Sequence, residues 1–319
     1  MTNVTALNPR QEVLNDLGDF GSANFNVSPK SLYISPMLES FQSISHIVPN
    51  KKALVNNDTG EVLSVVSDSY QIAQHPDTFR TVERIIAGSD LDLTGVKRNI
   101  EVSHNGARAY ARYTFPAHEL ETSRGDSSVL EILARNSFDG SWCFHIDIGA
   151  VRMACTNGQV ILEDFAMYKS RHTKNLNMAH AAQKLSKSLE VYEKEVERWK
   201  EWKNVDIKNM EALRIFAQVA NCKFITRELS YREQKIVEAS FMAEPEVYRN
   251  KTLMKLWDHY MKYETAALGR NLWAVYNTLT HWATHAAAGK KTAEHNISAI
   301  KVRRQDKVRE VFKRLDKAA

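Results

Sequence analysis

The spacing of hydrophobic and polar positions changes along the chain, and each change marks an element. Residues 1–50 hold no steady period and are punctuated by Gly18, Gly21, Pro29, Pro36 and Pro49, which predicts a short amphipathic start and then partly irregular chain. Ala53-Leu54-Val55 and Val62-Leu63-Ser64-Val65-Val66 are β-type runs on either side of Asn56-Asn57-Asp58-Thr59-Gly60, so residues 51–66 predict a hairpin. A helix follows: Pro76 suits its first turn, Phe79, Val82, Ile85 and Ile86 share one face, and Gly88 can close it. Over residues 93–115 the period shortens to two, with Asn105-Gly106 as the strongest hairpin signal in the chain.

The next strand, residues 107–115, puts Ala107, Ala109, Ala111, Tyr113 and Phe115 on one face and Arg108, Tyr110, Arg112 and Thr114 on the other. A further hairpin turns at Ser137-Phe138-Asp139-Gly140-Ser141; its return strand sets Trp142, Phe144, Ile146 and Ile148 against Cys143, His145 and Asp147. From Glu163 onward helical steps dominate. Residues 179–202 predict one long helix with Leu185, Leu189, Tyr192, Val196 and Trp199 as its apolar stripe. Shorter helices are expected over 210–219 and 230–242, and one or two over 253–288 with Gly269 as the break.

Charge divides the chain in the same place. Residues 1–165 hold 13 basic and 20 acidic side chains, and the remainder holds 30 and 18, so a net −7 half precedes a net +12 half. The last stretch, 290–319, has ten basic residues against four acidic. Such asymmetry suits a polyanionic partner, or equally a self-complementary oligomer or solvated helix faces. No apolar run reaches the roughly 20 residues that a membrane span needs, and the start lacks the apolar core of a signal peptide. Cys143, Cys155 and Cys222 show no C-x-x-C pairing, so neither a disulfide framework nor a zinc site is expected, and a reducing cytoplasm fits.

Candidate chemistry is sparse. The Arg108-Tyr110-Arg112 row suits phosphates and a stacked base, or a solvated outer face. Asp147, Glu163 and Asp164 are the best carboxylate set for a metal nuclease, but follow no known spacing. His281-x-x-x-His285 lacks the glutamate of the zinc-protease motif and reads as core or surface histidine. Cys155 reads as a small buried hydrophobe. Thr156-Asn157-Gly158 is either a phosphate-cradling loop, with Arg152 and His172 near it, or a plain connection. No cofactor or metal is implied.

Three stretches carry a resemblance: Arg152-Met153-Ala154-Cys155-Thr156-Asn157-Gly158; Arg171-His172-Thr173-Lys174-Asn175 before Ala179; and residues 271–285, from Asn271-Leu272-Trp273 to Ala283-Thr284-His285. In this order, across residues 51–288, the chain resembles the DUF932 family of phage- and plasmid-encoded proteins, which carries no assigned activity. The central order of one helix and four strands also resembles Rad52-type single-strand annealing proteins, which implies a ring or filament holding single-stranded DNA along a basic groove.

Together these readings predict an α+β protein: a twisted, mainly antiparallel sheet with a packed helix, then a basic helical region. The expected divisions are an N-terminal segment 1–50, a sheet domain 51–165, a helical region 166–289 packed on the sheet, and a basic tail 290–319. The expected function is non-enzymatic binding and annealing of single-stranded DNA by a cytoplasmic homo-oligomer, in recombination or replication, with phage or host recombination proteins as further partners. The expected contacts are Arg108, Tyr110, Arg112, Arg152, Lys169, Arg171, His172 and Lys174, with Arg303 and Arg304 in the tail. The rivals are a protein-binding or structural component and a metal-dependent nuclease.

Overall fold

Alternation in the first part of the chain folds as an antiparallel sheet of three strands in the order β1 (Val27–Ile34), β2 (His46–Asn56), β3 (Val62–Ser67). The β2–β3 turn is built as its residues suggest: Asn56 accepts from the Asp58 amide at 2.9 Å, and Gly60 takes a φ of 75°. β1 falls where irregular chain was expected. Pro29 is tolerated there because, among the described residues, β1 pairs with β2 alone and is an edge strand. The structure is a computed structural model describing residues 9–34, 46–123, 125–153, 157–160, 167–170, 183, 187–244, 249–287 and 297–316.

The Asn105-Gly106 signal builds the larger sheet. His104, Asn105 and Gly106 all take positive φ, between 54° and 90°, and reverse the chain between β4 (Lys97–Ser103) and β5 (Arg108–Ser123). β6 (Asp126–Ser137) and β7 (Phe144–Arg152) continue the antiparallel meander, with Tyr110 opposite Arg135 and Leu133 opposite Asp147. Two short strands share the far side of β7: β8 (Asn157–Val160) along residues 149–152, and β9 (Met167–Ser170) along residues 144–147.

Among the described residues the helices are α1 (Pro9–Asn15), α2 (His75–Ala87), α3 (Ser188–Trp202), α4 (Asn209–Ala220), α5 (Tyr231–Ala243), α6 (Lys251–His259), α7 (Leu272–His285) and α8 (Ile297–Asp316), with single turns at Lys223–Thr226 and Thr265–Leu268. Side-chain caps fix several starts: Ser230 accepts from Glu233, Asn250 from Leu253 and Asn271 from Ala274. Gly269, at a φ of 85°, makes the expected break before α7.

One face of the large sheet carries Ala109, Ala111, Tyr113, Phe115, Ile132 and Ile148 into a core shared with Phe79 and Val82 of α2 and Tyr192 and Trp199 of α3. The other face was expected to meet solvent. It does not, because the stretch expected as a basic tail is, over its described part, the helix α8. Val302 of α8 packs on Tyr110 and Leu133, and Val308, Val311 and Phe312 enter the main core. His145 and Asp147 are therefore buried rather than solvated. Arg135 and Arg309 pair with Asp147, Arg309 at 3.1 Å, and both also pair with Asp306 of α8 at 3.2 Å. Burial alone would raise the Asp147 carboxyl; the two guanidiniums overrule it and hold it well below the usual carboxylate range.

Candidate functional site

The second and more open constellation lies where β7 and β8 meet α6 and α7. Arg152, the last residue of β7, is buried, and its Nε donates to Asp126 Oδ1 at 2.7 Å. Its Nη1 lies 3.4 Å from Glu264 Oε2. Glu264 is buried too, and its other oxygen lies 3.2 Å from His259 Nε2. Two carboxylates thus face one guanidinium, with the second turned toward an imidazole. The His259 ring stacks on His281, with centroids 3.9 Å apart and planes 10° apart, and His281 sits 4.8 Å from His285.

A local departure from α geometry aligns this row. Residues Tyr260–Glu264 form a π turn between α6 and the short turn Thr265–Leu268. The inserted residue brings Glu264 back over His259, five positions earlier, where regular α-helix would favour three or four. On α7, His281 and His285 fall one helical turn apart and face the same way. Close approach on the β8 side depends on Gly158. Its amide donates to Thr284 Oγ1 of α7 at 3.0 Å, and a Cβ there would stand 2.5 Å from Gln305 Nε2 of α8.

The row opens into a cavity of about 240 Å³ whose walls include Lys255, His259, His281, Trp282, His285 and Arg304. Lys255 and His285 are exposed, and Arg304 lies over the Trp282 ring at 5.1 Å while donating to the Ala287 carbonyl at 3.1 Å. Burial, helped by the neighbouring His259 and His285, pushes His281 down to about 4, so its ring is neutral at pH 7. Burial also lowers Arg304, without threatening its charge. Among the described residues, no group of three or more His, Cys, Asp and Glu side chains is arranged to hold a metal ion.

The expected contact residues divide sharply. Arg108 donates to Asp139 at 2.7 Å and to Ser141 at 2.6 Å. Arg112 donates to both Glu131 oxygens at 2.7 Å. Tyr110, 1% exposed, lies beneath Val302. This row therefore offers neither open cations nor a free ring, because α8 covers Tyr110, and Asp139 and Glu131 pair with the two arginines. Arg152 is likewise internal, as the inner end of the histidine row. Lys169 and Arg303 are exposed, and Arg304 lines the cavity. Arg171, His172 and Lys174 lie outside the described residues, as do Cys155 and the first residue of the expected turn, Thr156. Sequence reasoning missed His259, Glu264 and Lys255; the i, i+5 spacing of His259 and Glu264 matches no regular period.

Two of the three stretches that carry the resemblance, 152–158 and 271–285, thus meet at this site through Arg152, Gly158, Thr284, His281 and His285. No curated protein and no solved structure matches the chain. The family model described as Domain of unknown function (DUF932) matches residues 62–318, through α8, and the chain belongs to that family.

Proposed function

We propose that this chain binds single-stranded DNA without cutting it, and brings complementary strands together in recombination or replication of a phage- or plasmid-type element. It would act in the host cytoplasm as a ring or filament of identical copies, and it would hold DNA phosphate at the histidine-lined cavity rather than on the sheet. The observation that carries this reading is the convergence of Lys255, Arg304 and three imidazoles on one open cavity, with Arg303 exposed on the adjoining helix. Ammonium and guanidinium groups neutralise phosphate and release its counterions. The +12 excess of residues 166–319 adds long-range attraction for a polyanion.

The test is fluorescence anisotropy of a labelled oligothymidylate titrated at 50–200 mM salt, without divalent metal, beside an annealing assay with complementary strands. Binding should be steeply salt-dependent, and the double change Lys255→Ala, Arg303→Ala should reduce the slope of log K against log salt by about 2. No binding at low salt overturns the proposal in favour of a protein partner. A second reading rests on the Glu264–His259 contact: a buried carboxylate orienting an imidazole beside an open cavity is also how a general base is built. Strand cleavage that disappears in His259→Ala would establish that reading instead.

A further inference from the structure

A second cavity, of about 410 Å³, lies at the other ends of α7 and α8 from the histidine row. Trp202 of α3, Ile207, Ile215 of α4, Leu272 of α7 and Phe312 and Leu315 of α8 give it apolar walls. Its rim is polar and uneven in charge. Glu211 is committed to the start of α4, where its carboxylate accepts from the Lys208 amide at 2.8 Å. Arg214 stands half-buried on the next turn, and among the described residues it makes no hydrogen bond or ion pair. An apolar space of this size with one cation at its rim, beside a carboxylate already engaged at the start of α4, has the form of a small-molecule site. The uncommitted guanidinium selects for a carboxylate, which it can meet with two parallel hydrogen bonds. A single cation above apolar walls suits nucleic acid poorly, since successive phosphates need successive cations.

We infer that this cavity binds a small amphipathic monocarboxylate, its hydrocarbon body among Trp202, Phe312 and Leu272 and its carboxylate on Arg214. The test is calorimetric titration of the full chain with sodium decanoate below its micellar concentration, against decanol as the uncharged counterpart. Decanoate should saturate at one equivalent. Arg214→Gln, which breaks no hydrogen bond or ion pair among the described residues, should weaken decanoate about tenfold, the loss of one charged hydrogen bond, and leave decanol within twofold. Leu272→Trp, which narrows the space, should weaken both. Absence of saturable binding, or equal decanoate affinity in a folded Arg214→Gln protein, overturns the inference. Concentration-dependent dimerisation reversed by decanoate would assign the cavity to a second copy of the chain and overturn the ligand class.

Discussion

Arg112→Ala separates a structural arginine from a DNA contact. In the folded chain Arg112 Nη1 reaches both oxygens of Glu131 at 2.7 Å, and the Glu131 side chain is 5% exposed. Removing the guanidinium leaves a carboxylate beneath α8 with no cation in hydrogen-bonding reach. Breaking a fully buried ion pair costs about 3–5 kcal/mol. Water reaches 21% of the Arg112 side chain, which brings the expected loss down to about 2–3 kcal/mol. At about 2–4 °C per kcal/mol for chains approaching this size, Tm should fall by roughly 4–12 °C. Replacing both partners, Arg112→Met with Glu131→Leu, should recover most of it, because neither buried charge is then orphaned. The assay pairs thermal unfolding with oligothymidylate anisotropy over a salt series. Per folded molecule, Arg112→Ala should leave both affinity and salt slope unchanged. A stable Arg112→Ala protein with a slope reduced by about 1 would refute the reasoning and return the sheet face to the DNA site.

Gly158→Ala should destabilise by about 1–3 kcal/mol in urea unfolding, since its Cβ meets the buried Gln305 amide, and Gln305→Ala in the same chain should relieve most of the loss. Phe312→Ala should cost about 3–5 kcal/mol, the penalty of a core aromatic, where a solvated tail would lose almost nothing. His281 makes stability pH-dependent. Its folded value, about 4, lies below the ordinary 6.5, so the unfolded chain takes up its proton first as pH falls. Stability should therefore decline between pH 6.5 and 4, by about 1–2 kcal/mol once solvent access to the ring is allowed for. His281→Asn should flatten that part of a urea-midpoint profile.

Turn chemistry and period carried most of the fold. Asn105-Gly106, the helix from Pro76 to its Gly88 stop, and the Gly269 break stand where local residues put them, because each answers a backbone requirement that neighbours in sequence satisfy. The fate of the polar face was not legible. Arg108, Arg112, His145 and Asp147 alternate with apolar residues as they would on a solvated face. Asp139 and Glu131 take up the two arginines, and Asp147 is closed in by α8, whose Asp306 and Arg309 lie about 160 residues further along. Charges that pair across such separations carry no local signature. The site was legible in fragments: Arg152, His281 and His285 stood out singly, while the Glu264–His259 contact that links them depends on a π turn that no hydrophobic period announces.

The buried ion network under α8 and the open cavity are mechanically one arrangement. Asp306 and Arg309 fix α8 on Arg135 and Asp147 of the sheet, while Gln305 abuts Gly158. That seating sets the rotation of the helix. With residues 302, 305 and 309 turned to the sheet, Arg304 is directed to Trp282 and the cavity, and Arg303 to solvent. Rotating the helix by one residue, 100°, would bury one of these cations against the sheet and withdraw the other from the histidine row. Buried ion pairs contribute little net stability for their desolvation, but they discriminate strongly between helix orientations, because a misaligned α8 would leave Asp147 unpaired in the interior. Arg135, Asp147, Asp306 and Arg309, none of them among the expected DNA contacts, thus share one task. They hold the sheet face and the final helix in one register, and that register leaves Arg303 exposed and Arg304 on the wall of the histidine-lined cavity.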